Sequence, residues 1–284
     1  MIFWHNVLPP SSFRVFVMFH VLERIAAVRG LLLLFLLLLS HTPIAVAGEI
    51  QIAVASNFTR PMTEVAALFE KTSGHQAKLS FGSSGKFVAQ IRHGAPFDVF
   101  LSADQEKPAR LLEMGLAVSG SEFTYAEGRL ALWSGQPGYV DAKGEVLQRA
   151  DYRYLAVANA QLAPYGRAAQ EVLTALELSE VLRNRAVFGE NIAQTFQFVK
   201  TGNAELGFIA LSQIIEQGEI GEGSAWVIPA DYHTPIKQDA VLLNVGADNA
   251  AARAFLAFLR HEAAQSIIRH YGYEIPVYLH AKRR

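Results

Sequence analysis

Four short loops in the sequence combine small hydroxyl, amide or glycine residues with the start of a helical pattern. They are residues 56–57, 82–85, 163–166 and 190–192. The first N–H groups of a helix have no partner within the helix and carry a positive partial charge, so helix starts bind anions. In α/β sheets, the loops at the carboxyl ends of the strands lie along one edge. Any one loop would suit an ordinary helix cap, but their recurrence predicts an anion site built from neutral donors.

Ser83 and Lys86 raise a second hypothesis, a serine acyl-transfer enzyme. They fit the S-x-x-K signature and residues 200–202 read K-T-G, two of the three signatures of penicillin-recognising serine enzymes. The third, S-D-N, does not occur in the sequence, and K-T-G ends a helical pattern instead of lying on a strand. Residues 80–87 do not fit the phosphate-binding loop motif G-x-x-x-x-G-K-[ST] either. Ser80 stands at the position of its first glycine, and Phe87 replaces the magnesium-binding Ser or Thr. We therefore expect no enzyme activity and keep acyl transfer by Ser83 and Lys86 as a remote alternative.

Strands and helices alternate along the chain around these loops. The first series has predicted strands at 50–55, 77–81 and 97–101, a helical pattern that ends at Gly74, and helices at 86–92 and from 103 or 104 to 114. The second has strands at 129–133, 154–158, 206–210 and 236–244, and helices at 165–176, 179–185, 191–201, 249–261 and 263–271. Such alternation favours mainly parallel sheets. No Pro/Ser-rich linker separates the two series, so we expect two α/β domains joined by short crossings.

The composition of the 284-residue chain, with 51% hydrophobic and 18% charged residues, is that of a globular protein. Its 25 Lys and Arg against 26 Asp and Glu leave a formal net charge of -1. No overall basic field would therefore attract nucleic acid, and any anion site must be local. The absence of cysteine excludes disulfides, thiolate metal sites and a lipid-modified N-terminal cysteine. The nine His show no H-x-x-x-H pattern, and we expect neither a metal nor a cofactor.

The N-terminal segment has the order of features that is typical of a secretory signal peptide. Residues 31–39 form an unbroken apolar run, preceded by two arginines and followed by the small residues 45–47. This run is short for a membrane span. We therefore expect residues 1–47 to be a signal peptide cleaved after Ala47, with Met18 as a better start than the first methionine. Without this segment the chain has 22 basic and 25 acidic residues, a net charge of -3.

Three motifs carry a resemblance to a known family. Residues 52–59 read I-A-V-A-S-N-F-T and are followed by Pro61 and Met62, residues 81–85 read F-G-S-S-G, and residues 94–104 read G-A-P-F-D-V-F-L-S-A-D. Together they resemble the periplasmic molybdate-binding proteins of ABC transport systems, over essentially the whole chain after the signal peptide. The resemblance implies an α/β, two-lobed type II periplasmic-binding-protein fold. Each lobe would be a mainly parallel sheet flanked by helices, with the ligand in the inter-lobe cleft.

The same resemblance implies lobe limits and ligand contacts. Lobe I would comprise residues 48–127 and 233–284, and lobe II residues 128–232. Carried over by position, the ligand-binding residues would be Ser56, Asn57, Ser84, Tyr165 and the backbone at Ile192. The side chains among them would contact the oxygen atoms of the ion and not its metal atom. One position departs, because Ala210 stands on a strand where related proteins place a ligand-binding Tyr, and we expect Tyr165 to take over that donor role.

The resemblance further implies the substrate-binding component of an ABC importer. It would capture molybdate, and also tungstate, in the periplasm and deliver it to a cognate permease in the inner membrane, and we expect it to be a monomer. Both ions are fully deprotonated dianions at neutral pH, so donors suffice to bind them, whereas phosphate carries a proton and suits a site with an acceptor. Sulfate shares their charge and shape and differs in size. A sulfate-binding or other small-oxyanion protein on the same fold therefore stays open as the alternative.

The signal peptide predicts that the exported protein begins at Gly48. Intact-mass spectrometry and N-terminal peptide mapping of protein purified from the periplasm should find this end, because signal peptidase cleaves after small residues such as 45–47. Protein that keeps residues 18–47 and fractionates with membranes would contradict the prediction.

Overall fold

The computed structural model describes residues 47–276 and, before them, Arg29 alone. The predicted signal peptide, residues 1–47, therefore lies outside the described residues except for Arg29 and Ala47. None of the helices in the described part is long and apolar enough to cross a membrane.

Residues 47–276 contain twelve strands and nine helices. The strands are β1 (Glu49–Ala55), β2 (Gln76–Gly82), β3 (Val99–Leu101), β4 (Phe123–Gly128), β5 (Leu130–Ser134), β6 (Leu155–Ala158), β7 (Ala186–Gly189), β8 (Leu206–Ala210), β9 (Ile215–Glu216), β10 (Glu219–Ile220), β11 (Ser224–Val227) and β12 (Ile236–Leu242). The helices are α1 (Thr59–Ser73), α2 (Ser84–Arg92), α3 (Glu106–Glu113), α4 (Val146–Arg149), α5 (Pro164–Ala175), α6 (Glu180–Asn184), α7 (Ile192–Lys200), α8 (Ala250–Leu259) and α9 (Glu262–His270).

Ten of the strands form two five-stranded sheets of matching topology. The first has the order β2-β1-β3-β12-β4 and the second the order β7-β6-β8-β5-β11. In each sheet four strands run in one direction, and the remaining one, β12 or β5, is antiparallel to both of its neighbours. Both sheets are therefore mainly parallel. The antiparallel strand is in each case the first one after the chain has crossed over from the other sheet.

Strand β1 illustrates why these residues form a buried strand. It lies between β2 and β3, which pair with both of its edges, and its residues 52–55 are buried on both faces of the sheet. Ile50, Ile52 and Val54 are fully buried in one hydrophobic cluster, which also includes Phe69 of α1. Ala53, which points the opposite way, belongs to a second cluster on the other face of the sheet.

The sequence patterns predict most of these elements but not the edge strands β4, β7 and β11. Strands β7 and β11 have only four residues each, too few to show a clear period, and β4 mixes polar and apolar residues without strict alternation. The predicted lobe limits, residues 48–127 with 233–284 and residues 128–232, stay a prediction. The assignment of the strands to the two sheets supports these limits, because the chain passes from one sheet to the other between β4 and β5 and returns between β11 and β12.

Candidate functional site

A small cavity lies just beyond the carboxyl ends of β1, β2 and β7. All five site residues predicted from the sequence line it: Ser56, Asn57, Ser84, Tyr165 and Ile192. The other lining residues are Ala55, Gly82, Ser83, Ala103, Ala163, Pro164 and Asn191, so no charged side chain lines this cavity. The space open to the centre of a water-sized sphere is about 10 Å³. This is about the space of one water molecule, so the lining must move apart to admit an oxyanion.

Three helices begin at this cavity. Ser84 is the first residue of α2, Tyr165 the second residue of α5, and Ile192 the first residue of α7. Backbone N–H groups at these positions have no acceptor within their own helix, and the partial positive charge of the helix start adds to their effect. The side chains of Ser83 and Asn191 cap α2 and α7. The site therefore has the electrostatic character of an anion site without a Lys or Arg in its lining.

The Ser84 hydroxyl is oriented to donate into the cavity. The residue is 1% exposed, and its Oγ accepts a hydrogen bond from the N–H of Ala103 at 3.0 Å. Because this bond occupies a lone pair of the oxygen, the hydroxyl proton stays available for an acceptor in the cavity. Together with its backbone N–H, Ser84 offers two donors from one residue.

The Tyr165 hydroxyl lies at the buried side of the cavity, where it accepts a hydrogen bond from Gln238 Nε2 at 3.2 Å. Burial, with smaller contributions from Tyr273 and Tyr125, raises the pKa of Tyr165 well above its ordinary value. The phenol therefore stays protonated at neutral pH and can donate. Gly128 leaves room for this hydroxyl, since a Cβ at that position would lie 2.0 Å from it.

Ser56 and Asn57 line the cavity, but their side chains already bond to the protein. Ser56 Oγ donates to Asn191 Oδ1 at 3.2 Å. Asn57 Nδ2 donates both to Gln238 Oε1 at 2.8 Å and to the Tyr273 hydroxyl at 3.0 Å. Their backbone N–H groups, in the 3-10 turn that follows β1, are the donors left for a guest. Ligand binding by these two residues stays a prediction, and the structure favours their main chain for it.

Two contacts between the loops of different sheets close the cavity at α2. The N–H of Gly85 donates to the carbonyl oxygen of Leu162 at 3.0 Å, and the Lys86 ammonium forms an ion pair with Glu190. Ser83 Oγ accepts from the backbone N–H of Lys86 at 3.4 Å, as an N-cap does. The lysine is thus bound to a carboxylate and the serine to its own helix start. This geometry does not favour the acyl-transfer alternative.

A larger cavity of about 240 Å³ adjoins the first one and shares Ala103 and Pro164 with it. Arg167 lines it, but its guanidinium is paired with Asp104 Oδ2 at 3.2 Å and with Glu106 Oε2 at 2.8 Å. A cation that already has two carboxylate partners offers little to an anionic guest. The small cavity is therefore the candidate anion site.

The residues behind the small cavity escape the sequence analysis. Gln238, Tyr273 and Tyr125 are buried; the first two bond to Asn57 of the lining, and Tyr125 bonds to Gln238. The sequence does mark Gln238, because it lies on the same face of β12 as Ile236 and Ala240. A polar residue at a position expected to be buried and apolar indicates a specific role. The two tyrosines give no comparable signal, since buried tyrosines are common.

Two sheets of matching topology around a small donor-lined cavity define a binding protein of the α/β class. Comparisons agree, because the family of bacterial extracellular solute-binding proteins matches residues 50–274. The molybdate-binding protein ModA of Azotobacter vinelandii is 51% identical over 229 residues, which cover 81% of this chain and 91% of that relative. ModA of Rhodobacter capsulatus is 52% identical over 229 residues, which cover 81% of this chain and 89% of that relative. The chain belongs to the family of bacterial extracellular solute-binding proteins.

A solved structure extends the similarity to three dimensions. The periplasmic molybdate-binding protein of Azotobacter vinelandii superposes with a TM-score of 0.78 at 42% identity, over 80% of this chain and 99% of that chain. The resemblance to periplasmic molybdate-binding proteins is therefore confirmed. The predicted fold class, with mainly parallel sheets flanked by helices, is confirmed as well.

Replacing Gly128 with alanine should weaken oxyanion binding. The added Cβ would lie 2.0 Å from the Tyr165 hydroxyl and 2.5 Å from Gln238 Nε2, so the hydroxyl must move away from its position at the cavity. We expect molybdate affinity to fall by about 1.5–3 kcal/mol, the value of a hydrogen bond to a charged group, as measured by titration calorimetry. Gly135→Ala is the matched control, because its nearest neighbour would be 3.9 Å away. A folded Gly128→Ala protein with unchanged affinity would show that this hydroxyl does not contribute.

Proposed function

We propose that this protein is the substrate-binding component of an ABC importer, which captures molybdate in the periplasm and delivers it to a permease in the inner membrane. The observation that carries the proposal is the cavity, where three helix starts and two buried hydroxyls meet around space for one small guest. Two relatives at 51% and 52% identity, both named as molybdate-binding proteins, support the choice of ion.

The donor-only lining matches the chemistry of molybdate. All four oxygens of the dianion are acceptors at neutral pH, so they can accept the hydrogen bonds that Ser84, Tyr165 and the N–H of Ile192 donate. Hydrogen phosphate would bring a proton into a lining without a carboxylate to accept it, and a buried unpaired donor costs about 1–3 kcal/mol. Tungstate has the charge and tetrahedral shape of molybdate. We therefore propose that the site binds tungstate as well.

The remaining features of the proposal follow from the role of an exported carrier. The chain would leave the cytoplasm by means of its signal peptide and act as a monomer. It would need no cofactor and would catalyse no reaction, which agrees with the capping role of Ser83 and the ion pair of Lys86 with Glu190. That pair and the bond between Gly85 and Leu162 join loops of the two sheets, so both would have to break when the ion is released.

Titration calorimetry of the exported protein with molybdate, tungstate, sulfate and phosphate tests the proposal. Molybdate and tungstate should each bind with one ion per chain, and sulfate at least about tenfold more weakly, a difference of about 1.4 kcal/mol. The physical reason is size, because the smaller ion cannot reach all the donors of a lining fitted to a larger one. Tighter binding of sulfate would instead assign the protein to sulfate, and binding of none of these ions would refute the proposal.

Ser84→Ala should weaken molybdate binding by about 1.5–3 kcal/mol, because it removes a hydroxyl donor whose acceptor side is already held by the N–H of Ala103. Lys86→Ala is the control, since its ion pair is half exposed and exposed pairs contribute about 0–1 kcal/mol. Affinity and thermal unfolding of both variants give the comparison. If Lys86→Ala abolishes binding while Ser84→Ala does not, the assignment of donors is wrong.

A further inference from the structure

The loops around the small cavity join the two sheets in a reciprocal way. In the matching strand orders, β2 corresponds to β7 and β1 to β6. Helix α2 follows β2, and the N–H of its second residue, Gly85, donates to the carbonyl oxygen of Leu162 in the loop after β6 at 3.0 Å. Helix α7 follows β7, and the N–H of its second residue, Ala193, donates to Ser56 Oγ after β1 at 3.4 Å. Each of these helix starts is therefore capped by a loop of the other sheet.

Ser56 forms a second bond to the start of α7. Its hydroxyl donates to Asn191 Oδ1 at 3.2 Å, and this oxygen also accepts from the N–H of Gln194 at 3.0 Å. Because a backbone N–H can only donate, the Asn191 atom at this position is the amide oxygen. Ser56, which is 6% exposed, thus accepts from one residue of the α7 start and donates to another.

A glycine at position 85 allows the other pair of loops to approach. A Cβ there would lie 3.1 Å from Leu162 Cα and 3.2 Å from its carbonyl oxygen, so Leu162 would have to move back by a few tenths of an ångström. Within α2 itself, alanine is the better helix former. Gly85 therefore serves the contact between the sheets and not the helix that contains it.

The same reciprocity recurs in two contacts outside the cavity. Helix α1 follows β1, and its Arg60 donates to the carbonyl oxygen of Ile215, after β8, at 2.8 Å. Helix α5 follows β6, and its Arg167 pairs with Asp104, after β3, at 3.2 Å. Strands β8 and β3 correspond in the two strand orders. The exchange is therefore a property of the whole contact between the sheets and not of one loop.

We call the bonds of Gly85 to Leu162 and of Ser56 to Ala193 and Asn191 the clasp. The closed state is the one in which these bonds are formed. The clasp joins loops that line the small cavity, and this lining must move apart to admit an oxyanion. The clasp must therefore break when an ion enters or leaves.

We propose that the clasp sets the lifetime of the closed state, and thereby the rate at which the ion is released, without touching the ion. The inference rests on the proposed function and adds the control of release to it. Because the bonds of the clasp join protein groups only, they stabilise the closed state with or without an ion. Groups that bind the ion stabilise it only when the ion is present.

Gly85→Ala tests the clasp in stopped-flow measurements of molybdate binding. The added Cβ opposes closure, so we expect the dissociation rate constant to rise by about tenfold and the association rate constant to stay within about threefold of wild type. Thermal unfolding of the ion-free variant should not occur at a lower temperature, because alanine favours α2. Gly135→Ala is the matched control, since its nearest neighbour would be 3.9 Å away, and both rate constants should stay at their wild-type values.

The lifetime of the closed state itself separates the clasp from the ion contacts. The chain has no cysteine, so Lys71→Cys and Arg183→Cys place one dye on an exposed side chain of each predicted lobe. Single-molecule fluorescence energy transfer then gives the closed lifetime with and without molybdate. Gly85→Ala should shorten both lifetimes by the same factor. Ser84→Ala, which removes a donor to the ion, should shorten only the lifetime with molybdate.

Should Gly85→Ala fail to fold, Ser56→Ala tests the other bonds of the clasp. It removes the hydroxyl that accepts from Ala193 and donates to Asn191, and it adds no atoms. We expect it, too, to shorten the closed lifetime by the same factor with and without molybdate.

The outcomes distinguish the clasp from the proposed function. Wild-type protein that binds none of the oxyanions refutes the proposed function and with it the control of release. Binding of molybdate by the wild type, with wild-type closed lifetimes in a folded Gly85→Ala variant, overturns the clasp alone. A shortening that appears only with molybdate also overturns the clasp, because it would mean that Gly85 acts through the position of Ser84.

Discussion

The removal of a doubly charged ion from water is the constraint on which the rest of this structure depends. A buried charge without partners is strongly unfavourable, and a counter-charge in the wall would carry its own cost of desolvation. The protein instead surrounds the cavity with neutral donors at the starts of α2, α5 and α7. Partial charges on helix N–H groups stabilise an anion without a mobile cation. The matching order of the two sheets is what brings these helix starts to one cavity.

The two hydroxyl donors at the cavity are each held by a hydrogen bond from the protein. The Ala103 N–H does this for Ser84, and Gln238 Nε2 does it for Tyr165. In both cases a protein N–H group occupies one lone pair of the hydroxyl oxygen. Hydroxyl groups held in this way before an ion arrives need less reorganisation on binding.

The contacts that close the cavity differ from those that line it. The Lys86–Glu190 ion pair is half exposed, and exposed pairs of this kind are individually weak. Arg60 of α1 bonds to the carbonyl oxygen of Ile215 at 2.8 Å, and Arg167 of α5 bonds to Asp104 and Glu106. These contacts also join segments that follow strands of different sheets.

What the sequence determined by itself is local. Strand β1 and helix α7 are recognisable from apolar periodicity and from their caps, and the pattern already marked the loops 82–85, 163–166 and 190–192, which the structure brings to one cavity. The resemblance to a known family then selected Ser84, Tyr165 and Ile192 within these loops. The tertiary structure alone decided what stands behind them. Asn57 meets Gln238 across 181 residues of chain and Tyr273 across 216, and these contacts depend on the pairing of β12 and on the bulge in β4. Periodicity reports which face of an element is buried, whereas the partner of a buried polar atom is set by packing between elements distant in sequence.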